Sequence, residues 1–334
     1  MAYSRRIESY DAETIRELAE LTDGLLKAVK SSQSVLVEIF PILNLLPRWL
    51  APWKVAGDIA HERTVSLFGS NLTYGQNRAS WNWAKAALEI KEAQGMSHDE
   101  MSYIIGVLFE AGSDTTTGVL KVFVLACLTF PEAMTKAQEE LEQVSGLPSF
   151  SDLDRLPYLN AFVKECLRWR PLAPFGFPHA VDADDEYMGY HIPKGSTVIA
   201  NHWTLDLDEN IFECATDFRP ERWIENPNLP LAAFGFGRRG CIGRHVAYNS
   251  LLITIGRILW TYDVTHRYKD GKKIEVDPWN MQQNMTSSPE DFEAVFRIRS
   301  LERQKTVEDE WNTAEKDPEA IMNHVRSLAT SSAR

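Results

Sequence analysis

Apolar residues recur at helical spacing along most of the chain. Residues 11–30 carry such a pattern, and residues 81–94 repeat it before Gly95 ends the run. The longest stretch opens with Ser97-His98-Asp99-Glu100, a Ser-x-x-Glu capping box, and continues through Met101, Ile104, Ile105, Leu108, Val119, Val122 and Leu125 until Pro131. More than 30 residues at about 1.5 Å each make a helix of about 50 Å, which has to cross the molecule. A shorter helix is predicted over 158–169, between Pro157 and Pro171, and another over 246–260, where Leu251, Leu252, Ile255, Ile258 and Leu259 mark a buried face. Strand signals are few. Residues 187–192 and 196–201 read as two short strands around the turn Pro193-Lys194-Gly195. Residues 206–230 show little periodicity, and irregular stretches of that length inside a compact domain are usually functional. The expected architecture is mainly α with small β elements, forming one domain over 1–300, followed by a charged, mostly exposed and partly helical tail over 301–334.

Two segments depart from an ordinary helical pattern. Gly112, Ser113, Asp114, Thr115, Thr116, Thr117 and Gly118 are consecutive poor helix formers, together costing about 3–5 kcal/mol relative to Ala. Either the helix ends at Gly112 and restarts, or it is locally distorted and turns hydroxyl and carboxyl groups into a site. The run from Val35 to Trp53 is the most lipid-like part of the chain. Glu38, Asn44 and Arg48 interrupt it, and Pro41, Pro47 and Pro52 break it, so it is no membrane-spanning helix of about 20 apolar residues. It reads as a pair of short buried helices or as a lid that dips into a membrane interface.

Composition narrows the classes. Hydrophobic residues at 44% and charged residues at 25% exclude a disordered or collagen-like chain. A net charge of -12 argues against a nucleic-acid partner, which needs clustered cations. Cys127, Cys166, Cys214 and Cys241 form no CxxC and no zinc spacing, and read as reduced thiols. The first residues, Met-Ala-Tyr-Ser-Arg-Arg, hold no apolar stretch of the signal-peptide kind.

The segment that carries chemistry is Phe234-Gly235-Phe236-Gly237-Arg238-Arg239-Gly240-Cys241-Ile242-Gly243. Its G-x-G-x-x-G spacing is not a dinucleotide fingerprint, because Asn226-Pro227-Asn228-Leu229-Pro230 leads in where a strand is required, and no βαβ unit follows. Taken singly, Cys241 is a small buried cysteine in a turn. That reading leaves the Phe, Gly and Arg residues around it unexplained. Alternatively, the glycines shape a loop that presents Cys241 at the start of the next helix, where free amides, the helix dipole and Arg239 favour a thiolate metal ligand.

This loop resembles the heme-binding signature F-x-x-G-x-R-x-C-x-G of the cytochromes P450, the heme-thiolate monooxygenases. Further motifs follow the family's order: Ala111-Gly112-Ser113-Asp114-Thr115-Thr116 resembles A-G-x-D-T-T, Glu165-x-x-Arg168 resembles E-x-x-R, and Phe218-Arg219-Pro220-Glu221-Arg222-Trp223 resembles the P-E-R-F region with Trp223 in place of Phe. The closest likeness is to fungal members of secondary metabolism.

The resemblance implies a cytochrome P450 fold lacking its N-terminal part, here the C-terminal two-thirds of the domain, with heme b (iron protoporphyrin IX) as cofactor. Cys241 would be the axial iron ligand. Arg239 and His179 would pair with the heme propionates, and Phe234 and Gly235 would complete the cofactor site. Asp114 and Thr115 would relay protons, and Glu165, Arg168 and Arg222 would form a buried structural network. Leu108, Ala111, Ala173, Phe175 and Phe177 would line an apolar pocket for a lipophilic small molecule. An NADPH-dependent reductase would supply electrons, and residues 35–53 would touch a membrane interface. Relatives sit on the cytosolic face of the endoplasmic reticulum through an N-terminal anchor. Their further region would also hold the first sheet strands, a lid and a propionate-binding helix. The implied activity is insertion of one oxygen atom of dioxygen into the substrate; the alternative is a non-catalytic remnant that binds heme poorly or acts only through a partner.

Overall fold

The computed structural model describes residues 1–7, 9, 12–30, 36, 37, 39–282 and 285–331. Asp11, Val35 and Glu38, which belong to the expectations above, lie outside them. The chain divides into two compact units, Met1–Ser113 with Ala314–Arg334, and Asp114–Thr313.

In the first unit, α1 (Glu13–Lys30), α2 (Pro52–Gln76) and α3 (Trp83–Glu89) precede the long helix α4 (His98–Thr129). The chain start is tied in: the amides of Trp83 and Ala84 donate to the carbonyls of Met1 and Ala2, and Tyr3 is buried with Leu72, Ala84, Met101 and Ile105. Asn82 caps α3 by accepting from the Lys85 amide at 2.9 Å, and its amide group reaches the Gly75 carbonyl at 2.8 Å. The Ser97 capping box is formed, with the Glu100 carboxylate accepting from the Ser97 amide at 2.7 Å and the Ser97 hydroxyl accepting from the Glu100 amide at 3.2 Å. Helix α11 (Pro318–Ser331) buries Met322, and Glu319 pairs with Arg78 at 2.7 Å.

Residues 41–50 correct the buried-helix reading. They hold two 3-10 turns, Pro41–Leu45 and Arg48–Leu50, neither of which has a buried residue, and Ile42, Leu45 and Trp49 are 72%, 82% and 80% exposed. Proline removes an amide donor and limits each piece to about one turn, too short to carry an apolar face into a core.

Helix α4 also differs from expectation. It runs without interruption through 112–118 and does not end at Gly112 and restart. Short polar side chains in a helix can turn back onto their own backbone, and the Ser113 hydroxyl does so, donating to the Phe109 carbonyl at 2.8 Å. From Val119 onward the helix is buried in the core of the second unit.

That core gathers Val122, Phe123 and Ala126 of α4, Ala137 and Leu141 of α5 (Pro131–Leu141), Leu159, Phe162, Val163 and Trp169 of α6 (Pro157–Trp169), and Leu251, Ile255 and Leu259 of α9 (Arg244–Thr261). Edge-to-face rings run from Phe123 through Phe162 and Phe218 to Trp169, with centroids 4.8–6.1 Å apart. Strand β5 (Tyr262–His266) pairs antiparallel with β8 (Ala294–Ile298), Tyr262 opposite Ile298, and between them along the chain β6 (Tyr268–Lys269) pairs with β7 (Lys272–Lys273). Helix α10 (Leu301–Thr313) is held by Arg303, which with Arg299 grips the Glu142 carboxylate at 2.5 and 2.6 Å.

The small strands pair differently from the sequence reading. The hairpin is β2 (Asp185–Tyr187) with β3 (Tyr190–Ile192), turning at Met188 and Gly189, whose φ angles are +51° and +82°. A two-residue turn with positive φ at both positions matches strand twist, so it outcompetes the Pro193 turn as the hairpin corner. Residues 193–195 instead return the chain so that β4 (Thr197–Val198) pairs with β1 (His179–Ala180).

Within the first unit, a Cβ on Gly106 would lie 2.1 Å from the buried Phe68 ring. Gly106→Ala is therefore expected to lower the urea-unfolding free energy by about 1–3 kcal/mol, overriding the roughly 1 kcal/mol that Ala gains in helix propensity. A variant as stable as the unsubstituted chain would contradict this packing.

Candidate functional site

Four cysteines occupy two kinds of environment. Cys127 and Cys166 are buried in the second unit's core, and burial pushes both thiols up, away from the thiolate form. Cys214 and Cys241 are exposed. Only Cys241 sits in a loop built by glycine.

Gly235 and Gly237 take φ of +69° and +59°, a left-handed region that side chains disfavour, and the turn closes where the Cys241 amide donates to the Phe234 carbonyl at 2.8 Å. Phe234 packs against the core and anchors the loop. Gly243 is the N-cap of α9, so Cys241 precedes the first helical residue by three positions. The side chains around the thiol are apolar and turned outward: Phe236 is 56% and Ile242 84% exposed, and Val246 is exposed on the first turn of α9. Arg239 is exposed in the same loop and His179 on β1; neither side chain has a hydrogen-bond or ion-pair partner among the described residues. An accessible soft donor, outward-facing apolar groups, an uncommitted guanidinium and an uncommitted imidazole form a donor set that fits a flat, largely apolar macrocycle carrying iron and carboxylate edges.

Behind this loop lies a dense polar cluster. Glu165 and Arg168 are fully buried on α6, and Arg222 opens the short helix α8 (Arg222–Glu225) that follows α7 (His202–Asp206). The Glu165 carboxylate accepts from Arg168 Nη2 and Nε at 2.7 and 3.0 Å, from Arg222 Nε at 3.0 Å, from the Arg219 amide at 2.9 Å and from Trp223 Nε1 at 2.8 Å. The indole N–H explains the tryptophan at 223: it supplies a buried donor that phenylalanine lacks. The guanidinium donors left over are spent on backbone. Arg168 reaches the carbonyls of Asp206, Ala215 and Asp217 at 2.7–3.1 Å, Arg222 reaches that of Glu213 at 3.0 Å, and Trp169 Nε1 reaches that of Thr216 at 2.7 Å.

Helix α7 links this cluster to the cysteine loop. Asn201 caps it at 3.2 Å, and the buried His202 ring meets the Phe236 ring edge to face at 5.9 Å. The Trp203 amide donates to the Pro174 carbonyl at 2.8 Å, fixing the proline-rich loop beside α7. His202 Nδ1 and Asp206 Oδ2 are buried without partners among the described residues. Burial pulls the imidazole down and pushes the Asp206 carboxyl up to about 7, with Arg168 opposing and Glu165 adding to the rise. A carboxyl raised in the folded state binds more protons than in the unfolded chain, so Asp206 costs stability increasingly as pH rises toward 7. These two groups were not singled out by the sequence, since nothing in their spacing marks burial.

The remaining candidates lie as follows. Asp114 is exposed on α4, and Thr115 is half-buried one position on. Leu108 packs on the core of the first unit, and Ala111 is exposed there. In the second unit Ala173 is half-buried, and Phe175 and Phe177 are exposed. A segment that carries no motif also reaches α4: the Ser287 amide donates to the Leu172 carbonyl at 2.6 Å, and a Cβ on Gly118 would lie 2.5 Å from Leu172 Cδ1 and 3.5 Å from Ser288 Cβ.

The sequence pattern described as Cytochrome P450 matches residues 1–292. Among curated relatives, the chain is 44% identical over 329 residues to cytochrome P450 monooxygenase FrzL of Cladobotryum sp, covering 97% of this chain and 64% of that protein. It is 42% identical over 330 residues to cytochrome P450 monooxygenase aneD of Aspergillus aculeatus, covering 97% and 64%, and 40% identical over 320 residues to cytochrome P450 monooxygenase peniB of Penicillium patulum, covering 95% and 60%. The chain thus spans under two thirds of the length of these relatives. With a family pattern that covers residues 1–292 and relatives 40–44% identical over nearly the whole of it, the chain belongs to the cytochrome P450 family, whose cofactor is heme iron.

Proposed function

We propose that this chain carries the heme site of a monooxygenase that inserts one atom of dioxygen into a lipophilic small molecule in fungal secondary metabolism. The observation that carries the proposal is the exposed Cys241 thiol, set in a glycine-shaped loop among the outward-facing Phe236, Ile242 and Val246. The monooxygenase names of the relatives support it. Heme b, when bound, supplies the redox-active iron that activates dioxygen.

The chain's own residues bind, orient and move protons. Cys241 holds the iron, Phe234 and Gly235 fix the loop, and Arg239 and His179 pair with the heme carboxylates. Asp114 and Thr115 hand protons inward from α4. In the second unit, Ala173, Phe175 and Phe177 offer the substrate an apolar surface. An NADPH-dependent reductase is the electron donor. Ile42, Leu45 and Trp49, exposed on single turns, rest in a membrane interface.

The test is the difference spectrum of the reduced, heme-loaded chain with and without carbon monoxide. A strongly red-shifted Soret band is expected, lost in Cys241→Ala and kept in Cys214→Ala. An unshifted band, or one that survives Cys241→Ala, would overturn the ligand assignment and favour a remnant without monooxygenase chemistry. For the membrane contact, replacing both Leu45 and Trp49 by Ser is expected to weaken binding to phosphatidylcholine vesicles more than tenfold, because each large apolar side chain contributes about 1.5–3 kcal/mol when buried. Equal binding by the two chains would remove that contact from the account.

A further inference from the structure

The residue next to the buried charge cluster has a separate task. Arg170, the C-cap of α6, is buried, and its guanidinium carbon lies over two indoles, 3.9 Å from the Trp169 ring centroid and 4.0 Å from that of Trp279. Its Nε donates to the Pro278 carbonyl at 2.9 Å, and its Nη1 to its neighbour's carbonyl, that of Trp169, at 2.9 Å. Arg170 takes no part in the Glu165 cluster, yet it is as deeply buried. One of its two indoles, Trp169, belongs to the core; the other, Trp279, is exposed and stands at the base of a loop.

That loop has a stem and a far end. The Gln282 amide donates to the Ser288 carbonyl at 2.8 Å and the Glu290 amide to the Asn280 carbonyl at 3.0 Å, so residues 280–282 and 288–290 run side by side. At its far end the Ser287 amide meets the Leu172 carbonyl at 2.6 Å, and Ser288 and Leu172 fill the space that Gly118 leaves on α4. Beyond the stem, Asp291 pairs with Lys121 of the same helix at 2.9 Å. Gly118 lies four residues after Asp114 and three after Thr115, hence on the same helix face, one turn along. The loop therefore stands beside the residues assigned to proton delivery, while its base is held by a planar cation that stacks on indole and donates in plane, as lysine cannot.

We propose that Arg170 is a positioning residue for substrate binding: it clamps Pro278 and Trp279 at the base of the 280–282/288–290 stem so that Ser287 and Ser288 form a fixed wall against Gly118 and Leu172. This rests on the monooxygenase reading for the identity of what the wall contacts. A held wall binds a bulky apolar ligand without first being ordered, and a loosened one does not.

Two variants test it. Trp279→Ala opens the clamp from the exposed side without leaving a cavity in the core, and Arg170→Leu opens it from within. Amide hydrogen exchange on the chain without heme is expected to rise in both at Gln282, Ser287 and Glu290, while residues 211–223 keep their protection. On the heme-loaded chain, 4-phenylimidazole, whose ring reaches past the iron, is expected to bind about tenfold more weakly, equivalent to about 1.4 kcal/mol, while imidazole itself stays within about twofold. Unchanged exchange in Trp279→Ala overturns the clamp, as does an equal loss for both azoles. If the unsubstituted chain binds neither azole, the monooxygenase reading falls, and the exchange arm alone decides whether Arg170 clamps the loop.

Discussion

One buried carboxylate sets the conditions for the rest of the second unit. Glu165 has no solvent, and an ionised carboxylate placed there without partners would cost several kcal/mol. It is tolerated because donors converge on both of its oxygens, two of them guanidinium groups. Those guanidinium groups are then themselves buried, and their spare N–H groups have to be satisfied. Backbone carbonyls between Asp206 and Asp217 do this. A segment with almost no regular secondary structure is thereby fixed by side-chain donors in place of a strand or helix ladder.

The consequence reaches the cysteine loop. Phe212, Ala215 and Trp223, positioned by the cluster, pack with Ala161 and against Leu231, directly before the turn that holds Phe234. His202 presses on Phe236 from α7, whose last residue, Asp206, supplies one of the carbonyls that Arg168 binds. The thiol can stay exposed and the loop still be held, because its anchors are behind it. The cost is visible in His202 Nδ1 and Asp206 Oδ2, buried polar atoms without partners among the described residues, where the irregular segment meets the helix.

The sequence made some of this legible and hid the rest for identifiable reasons. The capping box at Ser97, the start of α6 after Pro157 and the apolar face of α9 were readable because local chemistry decides them. The Cys241 loop was readable because glycine in number beside a cysteine has few other uses. Glu165 and Arg168 could be seen as a pair, but not as a buried hub, since an i,i+3 spacing looks the same on a solvated face. Pairings that depend on chain reversal were missed: Met188 and Gly189 make the hairpin corner, although Pro193 carried the stronger turn signal. The continuity of α4 through 112–118 was hidden because propensity counts each weak residue, whereas the packing at Gly118 acts on the helix as a whole. Arg170 gave no signal at all, because its meaning comes from Trp279, more than one hundred residues away.

The Glu165 charge, more than its packing, holds residues 206–223 in place. Amide hydrogen exchange on Glu165→Gln measures it directly, since the amide keeps the shape and removes the charge. The account expects protection at Phe212, Asp217, Arg219 and Trp223 to fall first and furthest, with the paired strands β5 and β8 keeping theirs. Protection in 206–223 indistinguishable from that of the unsubstituted chain would contradict it.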